Sequence, residues 1–324
     1  MIRIGIYGYG NLGKGVECAI HQNSDMELVG IFTRRNPEDI KTVFGARVYS
    51  ADDVISFSDK IDVLILCGGS ATDLPKDTAR LAKYFNVVDS FDTHANIPEH
   101  FDEVNKVAIE NNTLALISSG WDPGLFSINR LYMSSILPEG KTYTFWGRGV
   151  SQGHSDAIRR IEGVKNAIQY TIPKEDVINR IKNGERPTLS AREKHLRECF
   201  VVLNEGADEK KVEKEIKEMP NYFADYDTVV HFISEEELKK NHSRLPHGGF
   251  VLRSGDTTKE NSHVLELSLK LDSNPEFTGS VLLAFSRAVY KMYKDGKRGT
   301  VTALDIPLSY LSPKSDEELR KSLV

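Results

Sequence analysis

Short apolar runs alternate with polar segments of helical spacing through the first 120 residues of the chain. Each run has the length of one strand and contains β-branched residues, which is typical of buried parallel strands. The predicted strands are residues 2–7, 26–32, 62–67, 87–91 and 114–118. One predicted helix opens at residues 16–20, and two more span residues 75–85 and 98–111. Thr72 or Asp73 can cap the helix at 75–85. This alternation predicts an α/β fold with a Rossmann-type, doubly wound parallel sheet.

From residue 121 the pattern changes, because strands no longer alternate regularly with helices. Strands are predicted near residues 167–172, 197–204, 228–233, 250–254 and 264–271. Helices are predicted at 121–137 and around residues 174–183, 208–219 and 235–241. The mixture indicates an α+β domain with an open mixed or antiparallel sheet. A second copy of the chain could cover one broad face of that sheet, so we predict a homodimer.

Helical spacing returns between residues 275 and 295, where apolar side chains recur at Phe277, Val281, Phe285, Val289 and Met292. This helix is expected to pack back on the first domain. We therefore predict a dinucleotide-binding domain of residues 1–120 and 275–324. Residues 121–274 would form a substrate-binding and dimerisation domain.

The first predicted strand ends in the glycine pattern Gly8-x-Gly10-x-x-Gly13, directly before a predicted helix. Gly8 would allow a tight turn, Gly10 would let a pyrophosphate approach the backbone, and Gly13 would let the helix pack close to its strand. The phosphates would bind the N–H groups of the helix start. The pattern is weak alone, but its position between a strand and a helix favours a dinucleotide site.

The second strand ends in Thr33-Arg34-Arg35, where an NAD-binding domain usually carries an acidic residue for the ribose 2′-hydroxyl. Two arginines match a 2′-phosphate instead, so NADP is the predicted cofactor. The alternative is a solvated basic turn.

The composition excludes several classes of protein. A net charge of −5 with mixed signs predicts no nucleic-acid partner. No apolar stretch approaches the roughly 18 residues that span a bilayer, and no signal peptide is evident, so we predict no membrane association and a cytoplasmic location. Nine histidines include no H-x-x-x-H pair, and no metal site is predicted.

Further motifs, taken with the glycine pattern and the two arginines, extend over the full length of the chain. They are CGGSATD at 67–73, SGWDPG at 119–124, TFWG at 144–147, SQGHSD at 151–156, PHGG at 246–249 and LDSNP at 271–275. In this order they resemble the meso-diaminopimelate D-dehydrogenase family. The resemblance implies a homodimeric, NADP-dependent oxidoreductase of lysine biosynthesis. Such an enzyme deaminates the D-centre of meso-diaminopimelate to L-2-amino-6-oxopimelate, and it runs in reverse with ammonia.

The resemblance also assigns site residues. Cofactor contacts would fall on Tyr9, Gly10, Asn11, Leu12, Thr33, Arg34, Arg35, Cys67, Gly68, Gly69, Ser70, Ser90, Phe91, Asp92, Ser119, Gly120, Trp121, Asp122 and Pro123. Substrate contacts would fall on Asp92, Asp122, Trp146, Gln152, Gly153, Thr171, Arg197, His247 and Asn274.

The chemistry of a substrate with two carboxylates and two ammonium groups suggests roles for these residues. Arg197, with Thr171 and His247 as further donors, would hold the L-end. Asp122, or else Asp92, would accept a proton from the ammonium group or position the attacking water. Taken singly, each has a structural alternative: Asp122 could cap a helix, and Trp146 could be a core aromatic instead of a wall of the site.

Two other functions remain open at this point. One is an NADP-dependent D-amino-acid dehydrogenase of broad specificity on the same scaffold. The other is a non-catalytic NADP-binding redox sensor, since a fold alone does not give a function.

Overall fold

The computed structural model describes all 324 residues, which divide into two compact units. The first unit comprises residues 1–128 and 275–324, and the second comprises residues 129–274. The sequence pattern placed the first boundary after residue 120, whereas this division falls inside a helix, Leu125–Ile136. No helix of the chain combines the length and the apolar character that a membrane span requires.

The first unit is built on a seven-stranded sheet with the order β3-β2-β1-β4-β5-β6-β14, in which all neighbouring strands are parallel. Its strands are β1 (Ile2–Tyr7), β2 (Met26–Thr33), β3 (Val48–Ser50), β4 (Val63–Leu66), β5 (Asn86–Asp89), β6 (Leu114–Leu116) and β14 (Gly299–Val301). Its helices are α1 (Asn11–His21), α2 (Leu74–Ala82), α3 (Ile97–Glu110), α10 (Asn274–Lys294) and α11 (Asp316–Leu323), with α4 (Leu125–Ile136) at the boundary. The predicted doubly wound parallel sheet is confirmed.

Apolar side chains alternate between the two faces of this sheet. Ile4 and Ile6 of β1 lie in the core formed with α1 and α10. Leu64 and Leu66 of β4 lie in the core on the other face, with α2 and α3. Helix α10 thus packs on the first unit, as its periodicity predicted, and its residues Phe285, Val289 and Met292 are buried there.

The second unit is an α+β domain with an open mixed sheet, as predicted. Its strands are divided between two separate sheets. The mixed sheet has the order β11-β10-β9-β8, and the antiparallel sheet has the order β13-β12-β7. The strands are β7 (Gly140–Trp146), β8 (Gly149–Val150), β9 (Val164–Pro173), β10 (His195–Leu203), β11 (Asp227–Phe232), β12 (His247–Thr258) and β13 (Asn261–Leu271). The helices are α5 (Gln152–Arg159), α6 (Glu175–Lys182), α7 (Ala191–Lys194), α8 (Glu209–Glu218) and α9 (Glu235–Asn241).

The chain passes from one sheet to the other at Gly147, between β7 and β8. Gly147 has a φ of 110°, in the left-handed region that favours glycine. A Cβ at this position would lie 2.0 Å from the carbonyl oxygen of Thr171. Glycine therefore lets the chain turn sharply and begin a new strand beside β9.

Candidate active site

The turn between β1 and α1 has the geometry expected for phosphate binding. Gly8 adopts a φ of 95°, and a Cβ on Gly13 would lie 2.4 Å from the carbonyl oxygen of Gly8. A Cβ on Gly10 would meet nothing within 4 Å, so the backbone there faces open space. Gly10 is the N-cap residue of α1, and no side chain caps this helix. The first N–H groups of the helix therefore fit a pyrophosphate.

The basic turn after β2 is held in place by an ion pair and by hydrogen bonds. Arg34 forms an ion pair with Asp73 at 2.8 Å, and Asp73 also accepts the N–H of Gly69 at 3.0 Å. The guanidinium of Arg35 donates to the carbonyl oxygen of Tyr9. Arg35 thus lies beside the glycine turn, whereas Arg34, which is largely exposed, lies beside the loop after β4. Thr33 receives the N–H of Arg35 at 3.2 Å. This donor set fits a 2′-phosphate.

Asp73 occupies the N-cap position of α2, but its side chain does not cap the helix, and the prediction was wrong in this respect. The carboxylate instead turns back to Gly69 and Arg34. The Gly69 N–H, followed by the Arg34 guanidinium, lowers the pKa of Asp73. The acid therefore fixes the loop after β4 and the basic turn together.

Asp92 and Asp122 follow neighbouring strands, β5 and β6, in the first unit. The loop after β4 supports the first of them, because the hydroxyl of Ser70 accepts the N–H of Asp92 at 3.1 Å and lies 3.5 Å from the Ser90 carbonyl oxygen. The side chain of Asp92 is exposed, and that of Asp122 is half-buried. Since the strands are parallel, both acids lie at the carboxyl edge of the sheet, where such folds bind ligands.

The loop that carries Asp122 is a tight turn. A bridge joins Trp121 to Gly124, and the Asp122–Pro123 peptide bond is cis. Gly124 has a φ of 125°, and a Cβ there would lie 2.0 Å from the carbonyl oxygen of Gly120. The motif SGWDPG therefore encodes a specific backbone shape.

Arg197 and Thr171 lie opposite each other on β10 and β9 in the second unit. Arg197 is buried, donates to the hydroxyl of Thr171 and stacks on the ring of Tyr226 with its Cζ 4.0 Å from the centroid. Neither partner is acidic, and the Nε of Arg197 has no hydrogen-bond partner. Burial lowers the pKa of the Arg197 guanidinium. A buried cation of this kind fits an anionic ligand.

Two histidines near Arg197 are held neutral. Burial, and then the charge of Arg197, lowers the pKa of His154 to about 4 and that of His195 to about 3. The Nε2 of His195 accepts the N–H of Trp146 at 2.9 Å, and the two rings stack. At neutral pH, Arg197 therefore carries a positive charge and neither imidazole does.

His247 lies close to the pair formed by Thr171 and Arg197, and Gly149 lies between them. A Cβ on Gly149 would lie 2.5 Å from the imidazole Cγ, and Gly149 is paired with Thr171. The Nδ1 of His247 accepts the N–H of Gly248 at 2.8 Å, and burial lowers the pKa of His247. The structure thus groups His247, Thr171 and Arg197.

The remaining predicted substrate residues lie at helix starts. Gln152 and Gly153 are exposed in the first turn of α5. Asn274 begins α10, and its N–H donates to the carbonyl oxygen of Leu245 at 2.9 Å.

Sequence reasoning missed two buried polar side chains, one in each unit. Asp89, at the end of β5, is fully buried and paired with His100. Gln169 on β9 is fully buried, and neither polar atom of its side chain has a partner. Their sequence signals are slight, since each is a single polar residue within a strand.

Comparison with known proteins identifies the family. The model of the diaminopimelic acid dehydrogenase C-terminal domain matches residues 120–273. The meso-diaminopimelate D-dehydrogenase of Ureibacillus thermosphaericus is 62% identical over 323 residues, covering 100% of this chain and 99% of the relative.

Two solved structures are similar over the whole chain. A six-fold substituted meso-diaminopimelate dehydrogenase of Clostridium tetani E88, determined with DAP, is 56% identical with a TM-score of 0.95 and full coverage of both chains. An engineered D-amino acid dehydrogenase bound to NADP+ is 43% identical with a TM-score of 0.88, covering 100% of this chain and 99% of that one. The chain therefore belongs to the meso-diaminopimelate D-dehydrogenase family.

Proposed function

We propose that this chain catalyses the reversible, NADP-dependent oxidative deamination of the D-centre of meso-diaminopimelate. The products are L-2-amino-6-oxopimelate, which cyclises to tetrahydrodipicolinate, ammonia and NADPH. Family membership supports the reaction. The single observation that carries it is the buried Arg197, whose partners in the chain are a hydroxyl and an aromatic ring. A carboxylate of the substrate would supply the missing negative charge.

Arg197 and Thr171 would bind the carboxylate at the L-end, with His247 close by. Because these groups are buried, binding a substrate that lacks this carboxylate leaves their donors without a partner. Sites of this kind discriminate strongly against the smaller analogue. Anchoring the L-end would thus select the D-centre for reaction.

Asp122 and Asp92 would act on the nitrogen of the D-centre. The ammonium group must lose a proton before its lone pair can assist departure of the α-hydrogen, and a carboxylate can accept that proton. Water then attacks the iminium carbon, and the same carboxylate can orient it. NADP, when bound, accepts the hydride. The residues of the β1–α1 turn, with Arg34 and Arg35, would hold it.

An absorbance assay at 340 nm tests this function. We expect NADPH formation from meso-diaminopimelate, no formation from the L,L isomer, and a slower rate with NAD because Arg34 and Arg35 suit the 2′-phosphate. D-lysine lacks the second carboxylate and should react slowly. Equal rates with D-lysine would favour the D-amino-acid dehydrogenase of broad specificity. Failure to form NADPH from any amino acid would favour the redox sensor.

A homodimer is the assembly that we propose for the chain. Helix α4 buries Phe126 and Met133 on one side, yet Leu131, Tyr132 and Ile136 are exposed on the other. A helix that is apolar on both sides is normally covered on both. A second copy of the chain, placing its own α4 or sheet against these side chains, would cover them.

Tyr132→Glu should weaken the dimer, because it places a charge among apolar side chains. We expect the dissociation constant to rise about 30-fold or more, as for loss of a central interface residue. Leu308→Glu is the matched control, since Leu308 and Tyr132 are both 63% exposed. Light scattering after size exclusion at several protein concentrations measures the mass, from which the dissociation constant of the dimer follows. A monomeric wild-type chain, or an equal effect of both substitutions, would contradict the proposed interface.

A further inference from the structure

Asp89, at the carboxyl end of β5, is a fully buried carboxylate that has no role in the proposed reaction. One oxygen, Oδ2, accepts hydrogen bonds from the Thr78 hydroxyl on α2 and the His100 Nε2 on α3, each at 2.8 Å. The other oxygen, Oδ1, accepts the N–H groups of Phe91 at 3.0 Å and Ser118 at 2.7 Å. Buried charges persist in proteins only when they are paired and hydrogen-bonded in this way.

The backbone of Asp89 adds two more bonds to the loop after β6. Its carbonyl oxygen accepts the N–H of Ser119 at 3.0 Å and the Ser119 hydroxyl at 2.7 Å. Asp92 lies three residues after Asp89, and Asp122 lies three residues after Ser119. Asp89 therefore joins the two loops that carry the proposed proton acceptors.

Ser118 needs such support, because it adopts a φ of 54° without being glycine. Residues with a side chain disfavour this left-handed conformation, and it persists where the surroundings impose it. The hydroxyl of Ser118 is buried and has no partner, so it does not stabilise the turn. The hydrogen bond from the Ser118 N–H to the Asp89 carboxylate therefore helps to hold this residue in its conformation.

His100, on α3, holds the Asp89 carboxylate through the hydrogen bond to Oδ2. Its ring is buried and stacks on Phe91 with centroids 4.3 Å apart. Phe91 precedes Asp92, so the imidazole supports both the carboxylate and the loop. Thr78 contributes the second hydrogen bond from the helix side.

We propose that Asp89, held by His100 and Thr78, is a positioning residue that sets the placement of Asp92 and Asp122. This inference rests on the proposed function of those two residues. Orientation of reacting groups is a large part of catalysis, and small displacements are costly. Asp89 acts through the backbone and touches neither substrate nor cofactor.

Asp89→Ala tests the proposal, with Asn86→Ala as a matched control. Asn86 lies at the other end of β5, is also buried, and accepts the N–H of Leu114 of β6 at 2.9 Å. Both substitutions therefore remove a buried link between β5 and β6, at opposite ends. For Asp89→Ala we expect kcat to fall about 10²-fold, with KM for NADP little changed. The Asn86→Ala variant should lose thermal stability but keep its kcat.

A kinetic isotope effect separates positioning from a loss of folded protein. With meso-diaminopimelate deuterated at the D-centre, the isotope effect on kcat should rise in Asp89→Ala, because breaking the C–H bond becomes slower. Asp89→Asn keeps the shape and an acceptor, and weaker neutral hydrogen bonds should leave its kcat about 10-fold below wild type. If Asp89→Ala does not fold, the kcat and isotope effect of Asp89→Asn decide the question.

Several results would overturn the inference. These are an unchanged kcat and isotope effect in the folded Asp89 variants, or an equal loss of kcat in Asn86→Ala. A wild-type enzyme that forms no NADPH would overturn the proposed function and this inference with it. An active wild type with unaffected Asp89 variants would overturn the inference alone.

Discussion

Replacing Arg197 by methionine should lower kcat/KM for meso-diaminopimelate about 10³-fold, while D-alanine turnover changes little. Methionine fills the space next to Tyr226 but carries no charge. The L-end carboxylate would then enter a buried site without its cation, and losing one partner of a buried charged pair costs about 2–5 kcal/mol. D-alanine has no second carboxylate and does not need this residue. The measurement is the ratio of the two kcat/KM values in each enzyme.

Arg253→Met provides the control for this experiment. Arg253 and Arg197 are both 7% exposed, but Arg253 donates to the carbonyl oxygen of Leu137 at 2.9 Å and to the Thr142 hydroxyl at 2.9 Å. Its loss should lower thermal stability and leave the ratio for the two substrates unchanged. If Arg197→Met reduces both substrates equally, Arg197 does not anchor the L-end.

Local pattern was sufficient to predict most of the fold. The apolar runs and glycine pattern at the start of the chain placed β1, β2, β4, β5 and β6, and the periodicity of residues 275–295 placed α10 on the first unit. The edge strands β3 and β14 were missed because each has three residues and only one aliphatic side chain, Val48 or Val301, and so forms no apolar run. Strand β14 also pairs with β6 across nearly two hundred residues, and local periodicity carries no information about such a partner.

The division of the second unit into two sheets was not predictable for the same reason. It depends on which strands pair and on the turn at Gly147, where a φ of 110° is a property of the backbone. A glycine at the end of a strand indicates a bend or bulge but not its direction.

The electrostatic environment of the site required the structure as well. Resemblance named Arg197 and Thr171, but the depressed pKa of His154 and of His195 follows from burial and from the charge of Arg197. Likewise, a capping rule placed Asp73 at a helix start without revealing that its carboxylate binds Gly69 and Arg34. The ion pair joins residues 39 positions apart in the sequence, so spacing rules cannot find it.

Asp122→Asn should lower kcat for deamination by about 10²–10⁴-fold, the usual contribution of a positioned general base. Asparagine keeps the size of the side chain and can still accept a hydrogen bond, but it cannot take a proton from the substrate ammonium group. NADPH binding, measured by its fluorescence, should change little, because the amide keeps the size of the side chain at this predicted cofactor contact and leaves the β1–α1 turn, Arg34 and Arg35 intact. The reverse reaction with ammonia should be slowed equally, since the same group returns the proton.

Asp92→Asn is the informative comparison, because Asp92 lies in the loop after the adjacent strand. Its side chain is exposed whereas that of Asp122 is half-buried, and a carboxylate shielded from water is the better-placed base. We therefore expect a smaller loss of kcat in Asp92→Asn than in Asp122→Asn. A larger loss in Asp92→Asn would transfer the role of proton acceptor to Asp92. Retention of more than a tenth of kcat in both variants would mean that neither carboxylate is the base, since a general base contributes at least about 10²-fold.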